Sequence, residues 1–327
     1  MGQHGVNVFP RNLGIPAAQQ EADGSLNIDW KDFDAMIAPL KGRGEILFHL
    51  GTPSITFLES TDEAAKHRLE LNYLHLFRDH LKALGWAYGD YAFYPVDEPG
   101  LDHGTRVPYL TLSAKLLREA DPKLRIYTDP VHGLAWDDFE KFAPLLDVWC
   151  PEMELVTGLL VDDPRMLQIQ QSKKTIWSYE CFSQVKSLSP LRYNRANAWR
   201  AHFFGLDGIG FWTYTQTTRN HWFQGEGIEE YALVYPGQFP VPSVRWEAVR
   251  DGLEDIAAVD LLESLIEKHQ QSGTQSALVA EAETAIRIAS VDMMELSDEA
   301  FIQSRDFLRK GDRRLWHTWS DIATYQQ

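Results

Sequence analysis

Short apolar runs rich in β-branched and aromatic residues alternate along this chain with stretches of helical period, the pattern of a parallel sheet with crossover helices. Gly5–Phe9 reads as a strand ended by Pro10, and residues 31–41 as a helix stopped by Gly42. Glu45–Leu50 is the next strand. Ser60, Thr61, Asp62 and Glu63 have the form of a capping box, and behind them Leu69, Tyr73, Phe77, Leu81 and Leu84 recur on one helical face until Gly85. Tyr91–Val96 is a third strand, blemished by Pro95, and a helix over 108–120 follows. Leu124–Thr128, Asp147–Cys150, Lys174–Tyr179 and Gly208–Thr213 complete the strands, with near-continuous apolar runs that suit burial on both faces. From Ser243 onward strand signals stop, and residues 243–270, 275–291 and 298–315 read as helices.

Seven strands are one fewer than a closed barrel of this type needs, and the chain opens almost directly on a strand. The expected fold class is therefore α/β, a (β/α)8 TIM-like barrel lacking its first β/α unit, with a C-terminal helical segment. Tyr91–Val96 then stands fourth. An open doubly wound sheet is the alternative. With no repeat and no linker rich in Gly, Ser or Pro, the expected partition is a barrel over 1–255 and a helical appendage over 256–327 packed on it.

Composition narrows the function classes. The chain has 327 residues, 31 basic against 47 acidic side chains, and a net charge of −16. Such a surface repels phosphate backbones, so neither nucleic acid nor an anionic membrane is an expected partner. No apolar run approaches the roughly 18–20 residues of a membrane span. Two cysteines, Cys150 and Cys181, allow one disulfide at most and match no zinc spacing. No signal peptide is visible at Met1–His4. Localisation stays open, an exported precursor included.

Catalytic groups of such barrels come from the C-terminal ends of the strands. There Tyr91–Val96 runs into Asp97, Glu98, Pro99 and Gly100. Two carboxylates in a confined site repel each other, which pushes one toward protonation, as a general acid requires, while its neighbour stays ionised. Consecutive strand residues point to opposite faces, so the pair shares a site only if the backbone leaves β geometry, for which Pro99-Gly100 provides. Trp149 and Glu152, Trp177 and Tyr179, and Trp212 and Tyr214 crowd the later strand ends. The last two pairs keep period two, and ring faces of this kind stack on sugars. His49, His132, His4 and Asp129 lack the helical spacing of metal ligands, so no metal or other cofactor is expected. His49 and Asp129 join the candidate substrate-binding set. No G-x-S-x-G and no phosphate-binding glycine loop occurs. The mixed-sign run Arg245–Asp255 reads as a salt-bridged helix face.

The chain resembles the catalytic domain of glycoside hydrolase family 123 from about His4 to Asp255. The resemblance rests on Tyr94–Pro99, Ile176–Cys181, Gly208–Tyr214, Val234–Gly237 and, most specifically, Pro242–Asp255. It implies a (β/α)8 barrel that hydrolyses β-linked N-acetylgalactosamine with retention, on an oligosaccharide or glycoconjugate. By the same resemblance Glu98 is the general acid/base. Asp97 orients the substrate's 2-acetamido group and stabilises the oxazolinium ion, while Tyr179 and Trp212 wall the acetamido pocket. This is the substrate-assisted variant of retention. Two alternatives stand beside it: double displacement with Glu98 as acid/base and Glu180 as nucleophile, and a non-catalytic sugar-binding barrel. Glu180 is out of phase with Trp177 and Tyr179, which counts against the first. The sugar's epimer, exo or endo action and the oligomeric state are not legible in the residues.

Overall fold

The computed structural model describes residues 4–11, 15–50, 62–100, 104–131, 135–153, 156, 164–181, 188–215, 231–273 and 277–304. Strand β1 (Val8–Arg11) precedes a hairpin of β2 (Ala18–Gln20) and β3 (Leu26–Ile28), then α1 (Lys31–Ile37) and β4 (Glu45–His49). Helix α2 (Glu63–Ala83) leads to β5 (Tyr91–Tyr94), and α3 (Val107–Ala120) to β6 (Tyr127–Thr128). Next come α4 (Trp136–Phe142), β7 (Val148–Trp149), α5 (Pro164–Gln171) and β8 (Thr175–Glu180). The chain forms two compact units, Met1–Ser178 and Tyr179–Gln327.

In the first unit β1, β4 and β5 pair in parallel, and a parallel bridge from Phe93 to Ile126 leads to β6, β7 and β8. Residues paired across a parallel ladder share a face. Phe48 pairs with Phe93, and both rings meet Phe77 of α2. That face is the packed core under the helices. Trp149 pairs with Thr128 and Ile176 on the same side of the sheet, and its ring lies against Phe139 and Phe142 of α4. By alternation His49, Tyr94, Tyr127 and Trp177 belong to the opposite face.

The second unit continues with a π-helical turn (Pro190–Arg195), α6 (Ala196–Phe203) and β9 (Gly208–Phe211). β9 lies beside the end of β8, where the Trp212 N–H donates to the Glu180 carbonyl at 2.8 Å. A hairpin of β10 (Val234–Tyr235) and β11 (Val241–Pro242) precedes α7 (Val244–Gln271), whose N-cap Ser243 accepts from the Trp246 N–H. Helix α8 (Ala277–Ser304) follows.

The fold class is α/β, a (β/α)8-type barrel in part. The seven strands read from the sequence all occur, in order, but β1 runs through Pro10 to Arg11 instead of ending before it, as an edge strand allows. Two further differences have plain causes. Residues 277–304 form one helix where two were expected, because no Gly or Pro interrupts them. Helix α2 is capped by Asp62, whose side chain accepts from the Ala64 N–H at 2.9 Å, while Ser60 of the expected capping box lies outside the described residues. The two hairpins have strands of two or three residues, too short to establish a period. Among the described residues no helix is long and apolar enough to cross a membrane.

Candidate active site

Strand β5 ends at Tyr94, and four residues later Glu98 has φ of +45°. A left-handed non-glycine residue costs of order 1–3 kcal/mol and needs support from its surroundings. Here the Glu98 N–H donates to Asp129 Oδ1 at 3.1 Å, and Arg106 Nη1 donates to the Asp97 carbonyl at 2.8 Å. Tyr94 Oη lies 2.5 Å from Asp97 Oδ1 and also within hydrogen-bonding contact of Asp129 Oδ2. The backbone thus leaves β geometry at the Asp-Glu pair, as sharing one site requires.

The electrostatics differ from the expectation for the pair. Asp97 is open to solvent, with its side chain 60% exposed, and Glu98 is half-buried. The enclosed carboxyl is Asp129. Burial pushes it well above the usual carboxylate range, and the charges of Asp97 and Glu98 push the same way, against the Tyr94 and Glu98 N–H hydrogen bonds. Burial also lowers the His49 imidazole, with Asp97 opposing. For Tyr94 burial and then Asp129 push the phenol upward, so it keeps its proton.

A row of rings leads to these acids. His49 meets Tyr94 edge-on at 4.9 Å, Tyr94 meets Tyr127 at 4.8 Å, and Tyr127 lies 6.0 Å from Trp177. One ring comes from each of β4, β5, β6 and β8, so the row runs along one face of the sheet. Of the sequence candidates, the structure brings together His49, Asp97, Glu98, Asp129 and Trp177. Tyr94 and Tyr127 were not singled out, although Tyr127 and Asp129 keep period two. Trp149 lies on the opposite face, fully buried under α4, and fills the core there. Glu152 is half-buried, its N–H bonded to the Pro130 carbonyl at 3.2 Å.

In the second unit Glu180 is nearly inaccessible. Arg200 Nη2 lies 2.9 Å from Oε1, and the Tyr193 hydroxyl donates to Oε2 at 2.8 Å. Burial raises Glu180, while Arg200 and Tyr193 lower it. Trp212 is 49% exposed and lines an opening with Glu180, Tyr193, Asn194, Phe211 and Tyr231. Asn194 is fully buried, and neither its Oδ1 nor its Nδ2 has a partner among the described residues. Tyr179 is half-buried, and Tyr214 packs edge-on against Trp246 of α7. Trp212 and Tyr214 do not continue β9, because the strand ends at Phe211. Cys150 and Cys181 are not joined in a disulfide. His202, Asp260 and Glu263, on α6 and α7, bring ligand atoms within 4.8 Å of one another, and His202 and Glu263 are spaced as an ion pair at 3.4 Å. His4, half-buried, is described, and His132 lies outside the described residues.

Residues 51–262 match the family described as Glycoside hydrolase 123, catalytic domain. No curated protein matches the chain. Among solved structures, a mutant of Xylanase10C from Cellvibrio japonicus in complex with xylopentaose is 12% identical with a TM-score of 0.48, over 75% of this chain and 61% of that one. This chain therefore spans less than two thirds of that protein. A mutant of the intracellular xylanase from Thermoanaerobacterium saccharolyticum, with xylotriose, is 10% identical with a TM-score of 0.47, over 74% and 87%. A xylanase from Thermobacillus composti is 11% identical, also at 0.47, over 75% and 89%.

Proposed function

This chain belongs to the glycoside hydrolase 123 family, and on that footing we propose that it cleaves β-linked 2-acetamido sugars of the N-acetylgalactosamine type with retention, assisted by the substrate's own acetamido group. The observation that carries the reading is the Asp97-Glu98 turn beyond β5, held by Asp129 and Arg106 at the end of a row of rings. Glu98 donates a proton to the leaving oxygen and then takes one from the incoming water. Asp97 accepts the acetamido N–H, turns the carbonyl oxygen toward the anomeric carbon and offsets the positive charge of the oxazolinium ion. The Trp177 ring offers a stacking face, and the His49 imidazole, lowered by burial, is a neutral partner for a sugar hydroxyl.

Double displacement through Glu180 has less support. Its carboxylate has an arginine nitrogen 2.9 Å from one oxygen and a tyrosine hydroxyl bonded to the other, which makes it a buried ion pair and not an open nucleophile.

A panel of aryl glycosides tests the reading. A 2-acetamido aryl β-glycoside should be cleaved and inhibited by a thiazoline mimic of the cyclic intermediate, and Glu98→Gln should cost about 10²–10⁴-fold in kcat/KM. Hydrolysis of the plain galactoside at a comparable rate would remove the substrate-assisted step. Near-complete loss in Glu180→Gln, with azide restoring turnover, would replace it by double displacement.

A further inference from the structure

The phenol of Tyr94 has one hydrogen and two carboxyl neighbours. Its oxygen lies 2.5 Å from Asp97 Oδ1 and in close contact with Asp129 Oδ2. A single O–H donates to one acceptor at a time. Were both carboxyls ionised, the phenol oxygen would face an unprotonated oxygen with nothing between them, which is repulsive at this distance. A second proton is therefore required on one of the two carboxyls.

Burial decides which. Asp97 stands 60% exposed, beside Arg106, whose Nη1 is 3.9 Å from its Oδ2. Asp129 is buried, and among the described residues no basic side chain pairs with it. The titratable groups that bear on it are Tyr94 and, beyond the end of β5, Asp97 and Glu98, with Cys150 at the end of β7 also coupled to it by charge. The two acids raise Asp129 and Tyr94 lowers it, and the larger effect, burial, raises it.

We propose that Asp129 is held neutral and acts as a positioning residue, donating its proton to Tyr94 Oη, so that the Tyr94 hydroxyl is committed to Asp97, and accepting the Glu98 N–H on its other oxygen. One carboxyl group then orients both members of the pair, Asp97 through the phenol and Glu98 through its backbone. The polarity of the relay is fixed: donor at Asp129, donor and acceptor at Tyr94, acceptor at Asp97. Asp129 touches no substrate in this scheme. Its link to catalysis rests on the reading of Asp97 and Glu98 as the reacting pair, but its protonation does not.

The geometry distinguishes substitutions that a generic structural role would not. Asparagine reproduces a neutral aspartic acid here, because its Nδ2–H can donate to Tyr94 Oη while Oδ1 accepts the Glu98 N–H. It cannot reproduce an ionised one, since its amide would confront either Tyr94 or Glu98 with a donor against a donor. Asp129→Ala should lower kcat/KM by about 10²-fold through misplacement of the pair, and Asp129→Asn should recover most of that loss. The alkaline limb of the wild-type pH profile that comes from Asp129 deprotonation should be absent in Asp129→Asn. A retained limb, or a loss in Asp129→Asn as deep as in Asp129→Ala, would overturn the proposal.

Aspartate 13Cγ NMR is independent of activity, and on the unmodified protein it needs no variant to fold. One aspartate resonance should keep the chemical shift of a neutral carboxyl at pH 7, and Tyr94→Phe should move that same resonance. If every aspartate resonance reports a carboxylate at pH 7, Asp129 is ionised and the relay is wrong. If the neutral resonance is present but no aryl glycoside is cleaved, the relay stands and the glycosidase reading fails.

Discussion

Glu180 and Arg200 form an ion pair with almost no solvent on either side, and Tyr193 closes the remaining carboxylate oxygen. In such a pair the cost of desolvation is already committed, so removing one partner leaves a buried charge uncompensated, at about 3–5 kcal/mol. Arg200→Met should therefore lower the unfolding free energy measured in urea by that amount. Glu180→Gln should cost a similar amount, because Arg200 keeps its charge in the buried site with no carboxylate to offset it, and the amide presents one donor where an acceptor stood. Equal, small losses from both would mean that water reaches the pair. At this scale the sequence was partly legible. Asp97 and Glu98 announced themselves by following a strand and preceding Pro-Gly, and the phase of β8 separated Glu180 from Trp177. Asp129 was visible as a candidate but its partner was not, because Tyr94 and Asp129 are 35 positions apart and meet only when β5 and β6 lie side by side.

The block Pro242–Asp255, the most distinctive stretch of the sequence, is explained by how one helix docks. Asp255 of α7 accepts from Arg195 Nε and Nη2, at 2.6 and 2.7 Å, and from the Trp199 indole at 3.0 Å. One turn earlier Gly252 lets the helix approach the π-helical turn so closely that an added Cβ would stand 2.4 Å from the Arg195 carbonyl oxygen. The solvent-side pairs of Arg250, with Glu247 at 2.7 Å and with Asp251 and Glu254 at 3.5 Å, fit the salt-bridged face expected from the charge pattern. Helix propensity alone makes Gly252→Ala stabilising, by about 0.8–1.0 kcal/mol. Contact with a backbone oxygen that cannot rotate away reverses the sign, and the expected result is a loss of about 1–3 kcal/mol. Differential scanning calorimetry of this variant reads the sign directly, and a higher melting temperature would show that the approach is looser than described. Strand and helix order were legible because each long element carries a period. The docking of α7 was not, since a glycine and an aspartate in a helix look the same whether they meet solvent or another backbone.

Across the whole molecule, acids of opposite tendency set how stability responds to pH. Burial raises Asp129 and Glu45, while hydrogen bonds to Ser25 lower Asp23 and hydrogen bonding to Arg78 lowers Asp79. A carboxyl raised in the folded state keeps its proton when the unfolded chain has lost it. Its contribution is complete below the ordinary carboxylate range and is lost as pH rises toward its folded value. Lowered carboxyls act in the other direction, contributing above the ordinary range and losing that contribution as pH falls through their folded values. Above pH 5 the lowered group has nothing further to gain, so the raised acids and the repulsion within a chain of net charge −16 act together. The thermal midpoint should therefore fall as pH rises from about 5 to 8, and with it the unfolding free energy, by about 1.4 kcal/mol per pH unit for each carboxyl that stays protonated. Added salt at pH 8 should recover the part due to general repulsion. It should leave the part due to Asp129, which is buried beyond the reach of counterions, and Asp129→Asn should flatten that remainder. A midpoint that rises from pH 5 to pH 8 at low salt would show that the lowered carboxyls, and not the buried ones, govern the fold.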